Sequence, residues 1–251
     1  MSKPFRYISY GGGVQSTCLV LWAITKRIEC DAVIFADTGS EEPKTYATVS
    51  AIKEMCDEAG LPFYTVTHAS KGPLWEWYSG KGLLPMVGVV WCTSNWKIAP
   101  IRRKVRELAD CTGPKPWAEA LLGITTDEAH RARESDVLWS TTSYPLIEAL
   151  WSRERCLDHL SQNYPMLNVS KSGCFCCPYR GPKSWATLRR QEPELFARAR
   201  QMERNAKAKG VTRGLWGERS IVAFDSDLDL TDFGLEGVED STCDPGGGCF
   251  I

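Results

Sequence analysis

Residues 9–17 read Ser9-Tyr10-Gly11-Gly12-Gly13-Val14-Gln15-Ser16-Thr17 (SYGGGVQST), three glycines set between a strand pattern and a helical one. Phe5 to Ser9 has the short apolar character of a strand. Val14, Cys18, Leu21 and Trp22 recur at helical spacing, which predicts a helix from about Gln15 to Lys26. Glycine permits positive φ and close backbone approach. Consecutive N–H groups at such a turn form an anion nest, and the helix N-terminus adds about half a positive charge. Ser16 and Thr17 bring hydroxyl donors. No Lys precedes Ser16 and the GxGxxG spacing is absent, so the stretch is neither a Walker loop nor a dinucleotide fingerprint.

Outward from the loop, Ala32–Ala36 (AVIFA) is a continuous apolar run, as expected of a strand buried on both faces of a parallel sheet. It closes on Asp37-Thr38-Gly39, which places Asp37 and Thr38 beyond the carboxyl end of that strand, where open α/β sheets bind ligands. Pro43 suits the first turn of a helix running to about Ala59. PFYTVT (62–67) reads as a third strand, residues 70–91 as a Gly-, Trp- and Pro-rich lid or crossing loop, Lys97 to Ala109 as a helix and AEALLGI (118–124) as a fourth strand. From Tyr144 onward the pattern turns helical, with a cysteine-dense loop at 174–177 and a long helical stretch from about 194 to 210. The alternation predicts an α/β fold with a parallel sheet. The expected division is a nucleotide-binding part at 1–140, a helical cysteine-bearing part at 141–222 and an acidic tail at 223–251.

The bulk composition agrees with an ordinary globular chain: 251 residues, 43% hydrophobic, 24% charged and a net charge of −1. No apolar run approaches the ~20 residues that span a bilayer. The opening MSKPFRYISY lacks an apolar leader core, so a cytoplasmic location without membrane contact is expected. The balance hides an asymmetry: after Arg219 there is no Lys or Arg, while eight carboxylates follow, leaving the upstream chain net positive. That tail reads as a solvated acidic end or as a cover for a basic channel. Eleven cysteines in a reducing compartment argue against a disulfide scaffold and leave buried thiols, a metal site or redox chemistry. Cys18, Cys30 and Cys56 fall on helical or strand faces and read as small buried hydrophobes. His68, His130 and His159 show no metal-like spacing.

Five segments, in order, resemble the PP-loop superfamily and its phosphoadenylyl-sulfate (PAPS) reductase-like branch. SYGGGVQST resembles the SGGxDS loop of the ATP pyrophosphatases, with Gln15 where that pattern carries Asp. ADTGSEEPKTY (36–46) resembles DTGxxFxETY, CTSNWKIAPI (92–101) resembles CCxxxKxxPL with Thr93 in place of the second Cys, LLGITTDEAHR (121–131) resembles GIRxDxxxxR, and SGCFCCPYR (172–180) resembles GCxxC. GGGVQST is also similar to loops of phage-encoded reductase-like proteins and of the PP-loop enzyme of DNA phosphorothioation. The resemblance covers roughly two thirds of the chain. It implies a HUP-like, adenine nucleotide alpha hydrolase-like fold binding ATP or an adenylyl sulfate, with Mg²⁺ as a further candidate cofactor.

In that reading Ser9, Gly11, Gly12, Gly13, Gln15, Ser16, Thr17, Asp37 and Thr38 bind the nucleotide, while Lys97 and Arg131 are the anion contacts that act in catalysis. Arg180 and Arg219 are weaker candidates. Four thiolates suit tetrahedral zinc or a 4Fe–4S cluster. The expected set is Cys92, Cys156, Cys174 and Cys177 around a 4Fe–4S cluster, with Cys176 pointing away between two ligands. Cys243 and Cys249 faintly resemble the ECGxH nucleophile segment of the sulfonucleotide reductases, without its His. The activity implied is sulfur-related nucleotidyl chemistry: ATP-dependent adenylylation of a nucleobase or nucleic-acid acceptor, or sulfonucleotide reduction releasing sulfite, with a redox partner or sulfur donor. A non-catalytic nucleotide- or nucleic-acid-binding module is the reading from another class.

Overall fold

The structure, a computed structural model, describes residues 3–89, 91–112, 115–215 and 220–221. Arg219, Cys243, Cys249 and the acidic tail lie outside the described residues.

Five parallel strands form one sheet in the order β3-β2-β1-β4-β5: β1 (Phe5–Tyr10), β2 (Ala32–Ala36), β3 (Phe63–Val66), β4 (Ala118–Leu121) and β5 (Ser140–Ser143). Register is continuous across the centre, with Ile8 opposite Val33 on one side and Leu121 on the other. Successive side chains point to opposite faces. Ile8, Tyr10, Val33 and Phe35 therefore enter one core, and Tyr7, Ile34 and Ala36 the other. The first core is roofed by α1 (Val14–Ile24), α2 (Pro43–Glu58), α6 (Pro145–Glu148) and α7 (Arg153–Asn163). The second is covered by Ile101 and Val105 of α5 (Ala99–Leu108), together with Trp139. β2 is buried along its whole length, which is why AVIFA carries no polar residue.

The segment expected as a crossing loop contains a helix, α3 (Leu74–Lys81). Pro73 precedes it, and Gly82 ends it in the left-handed region at φ 65°. The next helical stretch begins earlier than expected, as α4 (Trp91–Thr93) continuing into a π turn at Ser94–Ile98 and then α5. Pro100 offers no N–H to the carbonyl of Trp96, and the helix widens ahead of it. α3, the π turn, α8 (Pro182–Gln191) and α9 (Pro193–Ala208) enclose a third core around Trp96, Phe175, Cys176, Trp185 and Met202. The sequence pattern does not predict β5. It spans residues 140–143, across the expected 140/141 division, and α7 packs against α1 on the sheet. No helix among the described residues is long and apolar enough to cross a membrane.

Candidate nucleotide-binding site

Strand order reverses at β1: the chain moves outward to β2 and β3, then returns to β4 on the other flank. Such a reversal opens a crevice at the carboxyl ends of β1 and β4, the general ligand position of open α/β sheets. The glycine loop occupies it. Gly12 has φ +71°, and a Cβ there would sit 2.8 Å from Thr45 Cγ2, so α2 leaves room only for glycine. Thr17 N donates to Gly13 O at 2.9 Å, the first helical bond of α1, so the amides of Val14, Gln15 and Ser16 have no helical partner.

Gly123, just beyond β4, backs directly onto this amide row. A Cβ at Gly123 would lie 2.7 Å from Ser16 N and 2.8 Å from Ser16 Cα. Sequence reasoning missed this residue, because only the fold brings the two segments together. Ser16 Oγ donates to Gly13 O at 3.2 Å and accepts Gly11 N at 3.4 Å, which shapes the turn from within. Thr17 departs from expectation. Its hydroxyl pairs with Tyr10 OH at 3.2 Å in the core under α1 and its N–H is held by Gly13 O, which removes Thr17 from the phosphate-binding set. Ser9 Oγ is buried beside the loop with no partner, as is Thr125 Oγ1 two residues after Gly123.

Asp37 and Thr38 stand at the end of β2. Asp37 Oδ1 accepts Gly39 N and Tyr46 OH, each at 2.7 Å, so the carboxylate holds the turn and the start of α2. Burial first, and then the Asp37 carboxylate, push the Tyr46 hydroxyl well above the usual tyrosine value. Thr38 Oγ1 donates to Glu41 Oε1 at 3.1 Å and lies 3.4 Å from Cys174 Sγ. Glu41 is itself buried, 3.5 Å from Lys97 Nζ, with its second oxygen unpartnered. Lys97 arrives from the π turn, which sets it beside Glu41, just beyond the end of β2. The cysteine turn is sewn to the same segment: Phe175 N donates to Ser40 O at 2.9 Å, Glu41 and Cys174 form a β-bridge, and Arg180 pairs with Glu42. Ser172 reaches the loop itself, since a Cβ at Gly13 would lie 2.9 Å from its hydroxyl.

Cys92 and Cys174 flank the core that holds Cys176, and Cys177 closes their turn with its N–H on Cys174 O at 3.1 Å. Cys156 does not join them. It is fully buried in the core under the sheet, where its carbonyl accepts Cys18 Sγ at 3.5 Å. The four-thiolate set is therefore corrected: the spacing that put Cys156 on a ligand-bearing helix could not say which core that helix faces. Among the described residues no three His, Cys, Asp or Glu side chains are placed to hold a metal ion. Burial pushes the Cys174 thiol well above its ordinary value, with the Glu41 carboxylate adding to it, and burial raises Cys176 too. With Cys156 in a separate core, the expected four-thiolate set does not come together around a 4Fe–4S cluster, and the chemistry proposed for the site passes through none.

On the other flank, a 3-10 turn (Thr126–Arg131) lies over the start of α1. Arg131 pairs with Glu128 at 2.9 Å. The 3-10 winding of the turn brings these i and i+3 residues, Glu128 and Arg131, together. Asp127 accepts the backbone N–H of Arg153 at 2.9 Å. Gln15 Nε2 donates to Glu128 Oε2 at 3.3 Å, and Gln15 Oε1 accepts Arg153 Nη1 at 2.9 Å. Arg102 pairs with Asp136 and, with Arg103 and Arg106, lines a surface cavity of about 440 Å³. His68 Nδ1 accepts the N–H groups of Ser70 and Lys71, a turn-forming role.

Fold and site together define an open parallel α/β protein with a glycine loop and a row of unpaired amides at its switch point. No protein-family model and no curated protein matches the chain. Among solved structures, the chain is similar to a phosphoadenylyl-sulfate (PAPS) reductase from Candida auris in a phosphate complex, at 13% identity and TM-score 0.44, over 65% of this chain and 73% of that one. It is also similar to the U34-tRNA thiolase NcsA from Methanococcus maripaludis with its 4Fe-4S cluster, at 17% identity and TM-score 0.42, over 82% of this chain and 72% of that one. At such identities and scores neither likeness speaks to activity or ligand, and the α/β fold rests on the sheet itself.

Proposed function

We propose that the chain is a PP-loop enzyme of the PAPS-reductase-like kind that seats the phosphates of an adenine nucleotide on residues 11–16. The observation that carries this is the amide row of Val14, Gln15 and Ser16: without helical partners, held open by Gly12 and backed by Gly123 at the switch point. Such a row binds phosphate through N–H donors aligned with the helix dipole. Lys97 and Arg131, on opposite flanks, offset the charge that builds on a leaving phosphate or pyrophosphate, and preorganised donors of this kind supply much of the rate acceleration in many enzymes.

The reaction proposed is attack of an acceptor oxygen on the α-phosphorus of ATP. The P–O bond to the bridging oxygen breaks, pyrophosphate leaves and an adenylylated acceptor remains, which a sulfur or amine nucleophile then displaces with loss of AMP. A nucleobase or nucleic acid is the proposed acceptor. The cysteine turn supports sulfur as the nucleophile, since Cys174 lies against Thr38 and Glu41 while Ser172 of the same segment touches Gly13. The test is pyrophosphate release from ATP with and without RNA or DNA. Acceptor-dependent release supports the proposal. Sulfite release from adenylyl sulfate, abolished by Cys243→Ser with Cys249→Ser, would replace it with reduction, and salt-sensitive nucleic-acid binding without turnover would replace it with a binding module.

A further inference from the structure

Nothing in its sequence context marks Arg153, yet its guanidinium is bonded to Gln15 of the phosphate loop. Resting on the nucleotide reading above, we propose that Arg153, aimed by Gln15, binds the nucleotide's terminal phosphates and does the charge-offsetting work that a loop-bound divalent metal would otherwise do.

Three observations converge on it. First, residues 9–17 contain no acid, so the loop offers a hard divalent cation no carboxylate. Magnesium is ordinarily held by one or two carboxylates together with substrate phosphates. Glu128, the carboxylate bonded to Gln15, is already paired with Arg131 at 2.9 Å. Second, Arg153 is anchored from both ends. Its N–H donates to Asp127 Oδ1 at 2.9 Å at the start of α7, where Ser152 Oγ caps Arg155 N at 3.1 Å. Its guanidinium donates through Nη1 to Gln15 Oε1 at 2.9 Å, and Gln15 is buried in the first turn of α1. A guanidinium has five donors in a planar fork suited to bidentate phosphate recognition, so one bond to Gln15 leaves donors for a ligand. Third, Ser9 Oγ and Thr125 Oγ1 are buried without partners on the segments leading into the loop and into the 3-10 turn, consistent with polar groups awaiting an oxyanion. Gln15 is suited to this arrangement because its amide is neutral. It accepts from Arg153 and donates to Glu128 without neutralising the guanidinium, as an acid at that position would.

The experiment is calorimetric titration of ATP and of inorganic pyrophosphate into the full chain, with Mg²⁺ or with EDTA. The wild type should bind ATP with EDTA within about threefold of its affinity with Mg²⁺. Arg153→Met keeps the aliphatic stem and should weaken ATP and pyrophosphate at least tenfold in both conditions, with circular dichroism unchanged. Arg153→Lys should recover part of the loss, and Gln15→Asp should weaken binding in EDTA while making it Mg²⁺-dependent. A folded Arg153→Met variant that binds both ligands as the wild type does would overturn the inference while leaving the loop reading intact. So would a wild type that loses tenfold or more in EDTA. Absence of binding to ATP, adenylyl sulfate and pyrophosphate by the wild type would overturn the loop reading and this inference with it.

Discussion

Replacing Gly123 by Ala probes the contact between β4 and the phosphate loop with a single methyl group. The new Cβ would meet Ser16 N at 2.7 Å, Ser16 Cα at 2.8 Å and the Gln15 carbonyl carbon at 3.0 Å, all backbone atoms. Reaching an ordinary contact of 3.4 Å from Ser16 N requires a displacement of about 0.7 Å, the difference between the two distances. No side chain can rotate to relieve it, so either the 3-10 segment lifts or the start of α1 shifts. A shift of that size stretches an N–H···O bond of about 2.9 Å to about 3.6 Å, beyond hydrogen-bonding range. A hydrogen bond to a charged group contributes about 1.5–3 kcal/mol, so ATP affinity should fall about ten- to hundredfold. Overpacking adds about 1–3 kcal/mol of destabilisation, which for a chain of this length lowers Tm by roughly 2–10 °C. Titration calorimetry with ATP and a thermal melt on the same sample read both effects. A folded Gly123→Ala protein that binds ATP with wild-type affinity would refute the placement of the phosphates on the Ser16 amide.

Three further outcomes are expected. Cys156→Ser should destabilise the protein by about 1–3 kcal/mol, because a hydroxyl replaces a thiol in an apolar core, and should leave ATP affinity and any iron content unchanged; loss of iron at unchanged stability would return Cys156 to a ligand set. Arg180→Met should cost up to about 3–5 kcal/mol in urea denaturation, because the buried Glu42 carboxylate is left with only the half-exposed Lys44, at 3.4 Å, as a cationic partner, and adding Glu42→Gln should recover part of that loss. Burial pushes the Cys56 thiol up to about 12 from an ordinary value of 9.0. The protonated thiol is thus favoured by folding, so its contribution is whole below pH 9 and is lost as pH rises toward 12. Between pH 8.5 and 10.5 the wild type should lose about 2 kcal/mol more than Cys56→Ala, at about 1.4 kcal/mol per pH unit above 9, and equal losses would contradict the burial of that thiol.

Much of the frame was legible because single residues carry it. Three glycines after an apolar strand mark the loop, AVIFA can only be a strand covered on both faces, and Pro43 opens α2 where a first helical turn tolerates it. β5 was illegible for the opposite reason: Ser140-Thr141-Thr142-Ser143 has no apolar alternation, and its pairing with β4 supplies what composition does not. α3 was hidden among Trp, Gly and Pro residues that read as loop. In the site, Asp37, Thr38 and Lys97 fell near the carboxyl ends of the strands because short motifs place them there. Gln15, Glu128 and Arg153 form one network from three segments, with 138 positions between the first and the last. Helical spacing does not disclose the 3-10 winding that sets Glu128 against Arg131. Cys156 shows the same limit: a cysteine on a helix has a face, and only packing says which core that face meets.

Titration of ATP into the full chain at neutral pH, repeated with inorganic pyrophosphate as competitor, tests the central claim most directly. The account predicts saturable binding at one site per chain, displaced by pyrophosphate and weakened tenfold or more by Gly123→Ala. Absence of saturable binding to ATP and to adenylyl sulfate, or binding that pyrophosphate leaves untouched, would contradict it.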